Sequence, residues 1–330
     1  MKNHRTLRAP AAFLLPLAAA LYAALPVHAQ DFPTRQVRII TPFPVGSGPD
    51  GIARLMADRL AKAWGKPVLV ENRPGGNGFV AIDAFKRAAT DGHDLIQLDN
   101  VHLTAYPHLF KRLPYDPAKD FDPLLPLQKA YFLFVTAKSS PYNNLGDLVR
   151  DARARPGQVN YGSWSIGNPV HLGSARFATA TRLDMTHVVY KETTQLYTSV
   201  ANGELNFALG SSGSTAPLYQ SGKIKYLAVA ASKRLAALPD VPTQAEAGGP
   251  ADLEVSGWTT LAAPPGLPAA VTEKIRRDVI AALDDPAIQA RFVTFGYTPF
   301  PISREDFARY IKDESATMAT VIKATKASLD

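Results

Sequence analysis

Three short stretches of this chain place glycine, hydroxyl and amide groups just ahead of a helix-like pattern. The first is Pro42-Phe-Pro-Val-Gly-Ser-Gly-Pro-Asp50. Gly46 and Gly48 permit positive φ and close backbone approach, Ser47 adds a hydroxyl, and Pro49 suits a first helical turn. The second is Arg73-Pro-Gly-Gly-Asn-Gly78, whose backbone N–H groups would lie beside those of the first. The third is Gly162-Ser-Trp-Ser-Ile-Gly-Asn-Pro-Val-His171, where Ser163, Ser165 and Asn168 offer hydrogen bonds and Trp164 an apolar wall. Unpaired N–H groups at a helix start attract small anions. Each stretch would also serve as an ordinary strand-to-helix turn, since an isolated glycine loop is a weak signal. Arg73 is a strong cation at this edge, with Glu71 close enough to pair with it at the surface.

Several chemistries do not fit these residues. No Gly-Lys-Ser/Thr follows the first loop, so it is not a Walker phosphate loop, and the full G-x-G-x-x-G spacing is missing. A nucleophile elbow of the G-x-S-x-G type would need glycine at 163, where Ser163 stands; Asp184 and His187 alone do not make a triad. The seven histidines have no ligand spacing and cysteine is absent, so no metal, thiolate or disulfide is expected. Further hydroxyls come from Thr193 and Thr194, in the Tyr190–Gln195 loop, and from Ser211 in Gly210-Ser-Ser-Gly-Ser-Thr-Ala-Pro217. Such neutral donors at helix starts hold a carboxylate well and leave it chemically unchanged. Neither a cofactor nor catalysis is expected.

The elements that would carry these loops alternate in type. Gln36–Thr41, Pro67–Glu71 and Asp94–Leu98 read as strands, separated by helices at Ile52–Trp64 and Phe79–Ala89. Prolines 114, 117, 123 and 126 then interrupt the chain. The rhythm resumes with a strand at Ala130–Ala137 and a helix at Asn144–Arg155. Strands at Val159–Ser163, His187–Tyr190, Leu205–Leu209 and Ile224–Ala231 follow, with helices at Pro169–Thr181 and Thr194–Asn202. A second proline-rich crossing runs from Pro239 to Pro268, and amphipathic helices at Ala269–Leu283 and Arg304–Ala327 end the chain. This pattern predicts an α/β protein of two lobes with mixed sheets flanked by helices, joined by two chain crossings around a cleft. Residues 30–127 with 254–330 would form one lobe and 128–253 the other.

The first residues read as an export signal. Lys2, Arg5 and Arg8 precede an apolar run from Ala11 to Leu25, and Val27-His28-Ala29 suits cleavage before Gln30. Pro16 and Pro26 and the short run argue against a membrane span, and without cysteine no lipid anchor follows. Residues 1–29 are therefore expected to be a cleavable signal peptide and the protein to be periplasmic. Removing the three leader cations takes the net charge of +7 down by three, to a mild excess with no basic stripe for nucleic acid.

Six motifs occur in a familiar order: the first loop, Val70-Glu-Asn-Arg-Pro-Gly75, Leu113-Pro-Tyr-Asp-Pro117 with Lys119-Asp-Phe121, Pro156-Gly-Gln-Val-Asn-Tyr161, His187-Val-Val-Tyr-Lys191, and Leu238-Pro-Asp-Val-Pro-Thr243 with Glu246-Ala-Gly248. Across its whole exported length the chain resembles the Bug family, the periplasmic receptors of tripartite tricarboxylate transporters. The resemblance implies a two-lobe periplasmic-binding-protein (Venus-flytrap) fold. It also implies one ligand carboxylate held by the first loop and the 163–170 loop, and delivery by a monomer to membrane permease subunits. On these grounds the ligand-binding residues are expected to be Phe43, Pro44, Val45, Gly46, Ser47, Gly78, Ser163, Trp164, Ser165, Asn168, Pro169, Thr193 and Ser211. Asp50 would order its loop rather than face the ligand. Family members often carry Pro-Gly-Gly or Pro-Gly-Ala at Val45-Gly46-Ser47, and many carry an aspartate near Gly210. Its loss, with Trp164 in the cleft, points to a carboxylate without an amino group: an aromatic carboxylate or a di- or tricarboxylate. A sensor receptor for a two-component system and an exported serine hydrolase are the alternatives.

Overall fold

Branched apolar residues on either side of a glycine turn begin the chain as a parallel βαβ unit, β1 (Val37–Thr41), α1 (Gly48–Trp64) and β2 (Val68–Asn72). Ile52, Met56 and Leu60 recur at four-residue spacing on α1 and are fully buried, so one face of the helix seals the sheet. The computed structural model describes residues 32–164 and 166–329. The leader, its cleavage site and Ser165 lie outside the described residues.

From β2 the chain makes one 3-10 turn, Gly76–Gly78, before α2 (Phe79–Lys86) and β3 (Asp94–Asp99). Two short helices follow, α3 (Asn100–Thr104) and α4 (Tyr106–Leu109), and then the long β4 (Asp122–Ala137). The second lobe contains α5 (Leu145–Ala154), β5 (Asn160–Ser163), α6 (Pro169–Thr181), β6 (Thr186–Val189), α7 (Thr193–Ala201), β7 (Phe207–Ser211), α8 (Ser212–Gln220) and β8 (Ile224–Val229). The chain returns through β9 (Ser256–Ala263), α9 (Ala269–Leu283), α10 (Pro286–Phe295), β10 (Tyr297–Thr298) and α11 (Arg304–Thr325).

The strands run in the order β2-β1-β3-β9-β4-β7-β5-β6, with β8 and β10 also paired to β4. The first part of β4 pairs with β9 in one lobe, and the part from Phe132 onward pairs with β7 and β8 in the other. Beside it the returning chain crosses at Val255, whose carbonyl accepts from Phe132 N at 3.0 Å. The two crossings therefore lie side by side. Each lobe buries apolar clusters on both faces of its sheet, and α11 packs Met318, Val321 and Ile322 onto Leu172 and Ala175 of α6.

The helices α3 and α4 and the short β10 have no counterpart in the sequence reading, and four further elements depart from it. β4 begins at Asp122 rather than Ala130, because Pro123 and Pro126 fall where its register with β9 shifts, positions that need no ladder donor. β9 is a strand inside the segment expected to be a proline-rich crossing. The polar loop expected after Gly210 becomes α8, capped by Ser211 Oγ accepting from Ser214 N at 3.2 Å. A separate helix, α10, follows α9, with Asp285 as its cap.

Candidate ligand-binding site

The first loop is held from below. Asp50 is buried; its Oδ2 accepts from Gly46 N at 2.8 Å and its Oδ1 from Asn72 Nδ2 at 2.7 Å. Asn72 Nδ2 also donates to the Phe43 carbonyl at 2.9 Å, and Arg54 pairs with Asp50. Asp50 therefore orders the loop, and Asn72 explains why an asparagine on β2 accompanies it. Glu71 pairs with Arg73 and with Arg38. Arg73 is thereby a surface partner of Glu71.

On the second lobe, Asn168 caps α6 by accepting at Oδ1 from His171 N at 2.8 Å, and Pro169 occupies the first turn. Trp164 packs against both apolar clusters of this lobe. Phe43 and Pro49 at the start of α1 and Asn168 and Pro169 at the start of α6 line one cavity of about 400 Å³ between the lobes. Aromatic rings supply much of its wall, from Tyr106, Phe132, Trp164, Trp258 and Tyr297.

Asp99, Thr259 and Gln128 form a polar row along this wall. Asp99 is registered opposite Thr259 on the neighbouring strand, and Thr259 opposite Gln128 on the next. Gln128 is 2% exposed, and neither its Nε2 nor its Oε1 has a hydrogen-bond partner; Thr259 Oγ1 has none either. Leaving such a buried group unsatisfied costs about 1–3 kcal/mol. Asp99 caps α3, accepting from Val101 N at 3.4 Å, while His102 Nδ1 accepts from Asp99 N at 3.1 Å. Burial, with Glu314 adding to it, pushes the Asp99 carboxyl up to about 6 despite the backbone N–H bonds. His102 is held neutral, at about 4, by burial, and donates from Nε2 to the Asn77 carbonyl at 3.0 Å.

Of the residues expected from sequence, Phe43, Trp164, Asn168, Pro169 and Ser211 meet at this cavity. The rest of the first loop stands differently. Val45 is 73% exposed, the Gly46 N–H is taken by Asp50, and Pro44 accepts from Ser47 N at 3.2 Å. Ser47 Oγ is buried without a partner. Gly78 packs under His102, and its neighbour Asn77 faces the cavity instead. Thr193 is exposed on the first turn of α7 and is not part of the cavity wall. The Ser163 side chain points to His187, Oγ to Nε2 at 2.8 Å, and is fully buried. His187 lies half-buried, stacked on His171 at 4.2 Å and on Tyr161 at 5.0 Å, so this serine–histidine pair is held in a ring stack outside the interlobe cavity wall. Among the described residues no group of three or more His, Cys, Asp and Glu is placed to hold a metal. No helix among them is long and apolar enough to cross a membrane.

Sequence reasoning missed Asp99, Gln128, Thr259, Tyr106 and Trp258. The sequence reading noted the missing acid near Gly210, where a Cβ would meet Thr215 Cγ2 at 2.6 Å and Tyr197 at 3.0 Å. An aspartate does not fit there; the acid of this cavity is on β3.

Two α/β lobes, two adjacent crossings and a cavity walled by both lobes define a periplasmic-type solute-binding protein. The chain belongs to the tripartite tricarboxylate transporter family receptors, the TctC or Bug proteins, with residues 52–327 matching that family. A UPF0065 protein of Bordetella pertussis is 32% identical over 305 residues, 92% of this chain and 94% of that one. Among solved structures, R. palustris Rpa4515 with adipate is 31% identical with a TM-score of 0.76, covering 90% of this chain and 99% of that one. MatC (Rpa3494) from Rhodopseudomonas palustris with bound malate is 29% identical with a TM-score of 0.72, covering 88% and 100%. Proteins of this family are solute-binding receptors, which is not an enzyme class.

Proposed function

We propose that this protein is exported to the periplasm by residues 1–29 and, as a monomer, captures a small carboxylate between lobes 30–127 with 254–330 and 128–253. It then delivers the ligand to the membrane permease subunits of a tripartite tricarboxylate transporter. The observation that carries this reading is the meeting of the α1 and α6 starts at one interlobe cavity, where helix dipoles favour an anionic group. Adipate and malate in two relatives support a carboxylate as the cargo. Of the two classes the sequence points to, aromatic carboxylates suit the ring-lined wall. A di- or tricarboxylate would bring a second negative charge toward Asp99, and no Lys or Arg is among the described lining residues.

Thermal unfolding against a panel of aliphatic di- and tricarboxylates, aromatic carboxylates and amino acids tests the proposal. A ligand at a hundredfold excess over Kd stabilises by about 2.7 kcal/mol, a readily measured shift in Tm. A shift with one class of carboxylate-bearing ligand, amino acids included, is the expected result. No shift with any carboxylate would overturn it.

A further inference from the structure

We infer that the row Asp99–Thr259–Gln128 is a second ligand subsite that holds a protonated amino group, so that the cargo is an amino-bearing carboxylate. This rests on the carboxylate-receptor reading and names the other half of the ligand.

The three side chains come from adjacent strands β3, β9 and β4 at paired positions, and directly opposed residues in a sheet share a face. All three line the interlobe cavity, where Gln128 is almost wholly buried with both amide atoms unpartnered and Thr259 Oγ1 is likewise unpartnered. Polar atoms buried in this way are normally satisfied by protein, water or ligand. Here the residues that carry these atoms border the cavity.

Its chemistry is that of an acceptor set. An ionised carboxylate only accepts, a threonine hydroxyl accepts on a lone pair, and the glutamine amide offers a carbonyl oxygen. A protonated primary amine carries three N–H donors and a positive charge, which suits three acceptors of which one is an acid. No Lys, Arg or His among the described lining residues supplies that charge from the protein. A second ligand carboxylate in the same place would meet Asp99 directly, and like charges at close range repel. The helix starts of α1 and α6 remain for the ligand carboxylate, so the two ends of an amino acid-like molecule have separate seats. The absence of an acid at Gly210, which from sequence argues against an amino group, is offset by Asp99 one lobe away.

Titration calorimetry of the exported chain with matched pairs tests this: phenylalanine against 3-phenylpropionate, norleucine against hexanoate, and 2-aminoadipate against adipate. The expected result is that the amino member of at least one pair binds tenfold or more tighter than its partner. Asp99→Asn, which retains a side chain able to cap α3, should remove most of that preference while leaving or improving the affinity of the amine-free partner. Gln128→Leu and Thr259→Val, which leave the cap untouched, should each weaken the amino member severalfold, with Tm reporting that the chain is folded. Equal or tighter binding of the amine-free members would overturn the subsite and leave the carboxylate receptor standing. An amino preference that survives Asp99→Asn would overturn it too. Phenethylamine binding as tightly as phenylalanine would instead overturn the carboxylate seat on which the receptor reading rests, and no binding across all pairs would overturn both.

Discussion

Asn72 and Asp50 are joined by a 2.7 Å hydrogen bond from Nδ2 to Oδ1, and the same amide also holds the Phe43 carbonyl. This pair fastens the first loop to β2, so that Phe43 and Pro49 reach the cavity from a fixed base. Asn72→Ala is expected to cost about 1–3 kcal/mol, the usual loss when a buried acceptor is left unpaired. It should also weaken ligand binding, because Phe43 and Pro49 lose their support. Urea unfolding and a ligand titration on the same variant check both. Unchanged affinity would mean that the loop holds its shape without β2.

Acid should loosen the same loop. Burial by itself would raise the Asp50 carboxyl, but bonds from Asn72, Arg54 and the Gly46 N–H outweigh it and hold the group below its ordinary value. A depressed carboxyl contributes stability that is complete above the unfolded value, near about 3.9, and is lost as pH falls through the lower folded value. The acid limb of the unfolding profile should therefore flatten in Asp50→Asn, which keeps one acceptor and removes the titration. A limb of unchanged steepness would assign the acid loss to other carboxylates.

Ligand binding should be visible in intrinsic fluorescence. Of the three tryptophans, Trp164 and Trp258 line the cavity, while Trp64 donates from Nε1 to Asp278 at 2.7 Å on α9. Trp164 packs on the second lobe and Trp258 is buried against Phe307 in the first. The expected outcome is a change in emission on binding that falls sharply in Trp164→Phe and is retained in Trp64→Phe. A signal that persists in Trp164→Phe would place the ligand nearer Trp258.

The βαβ start, the alternation of the second lobe and the long C-terminal helix were legible in the sequence because each combines a clear apolar period with glycine or proline punctuation. The Asp99–Thr259–Gln128 row was not. Gln128 follows Pro123 and Pro126, and Thr259 lies inside the stretch from Pro239 to Pro268, so both segments read as crossings. Proline marks a break in the ladder, yet here it sits at register shifts of a strand pair that runs on through it. The partnership of β3, β9 and β4 is long-range, and no local pattern encodes which strands become neighbours. Within the loops, the Gly46 N–H goes to Asp50 four residues on, and the Ser163 hydroxyl faces His187 on the neighbouring strand, a partner that only the strand pairing reveals.

Three buried or half-buried histidines should make the protein less stable as pH falls through mildly acidic values. His102, His171 and His187 are each lowered to about 4, in every case chiefly by burial, with His187 adding to the effect at His171. The unfolded groups titrate near about 6.5, so between that pH and 4 the unfolded chain binds more protons and stability drops as pH falls. Asp99, raised to about 6, works in the opposite sense, since its folded form binds more protons below that value. Tm measured from pH 8 to 4.5 should decline below about 6.5 in wild type, and less steeply in His171→Phe, which keeps an aromatic ring beside His187. Parallel curves for the two proteins would mean that His171 is not held neutral.

Gly78 is the position where a single methyl group should disturb both sides of the first lobe's site. Its φ is +86°, and a Cβ there would lie 2.2 Å from His102 Nε2. Moving His102 breaks its bond to the Asn77 carbonyl and its acceptance from the Asp99 N–H, and both Asn77 and Asp99 line the cavity. Gly78→Ala is therefore expected to destabilise by about 1–3 kcal/mol through backbone strain and the clash together. Ligand affinity should fall with it. His102→Ala removes the obstacle, so the double variant should lose less than the two single losses added, a coupling that a double-mutant cycle measures directly. If the losses simply add, the cost at Gly78 lies in its backbone conformation alone and His102 is not what forces glycine there.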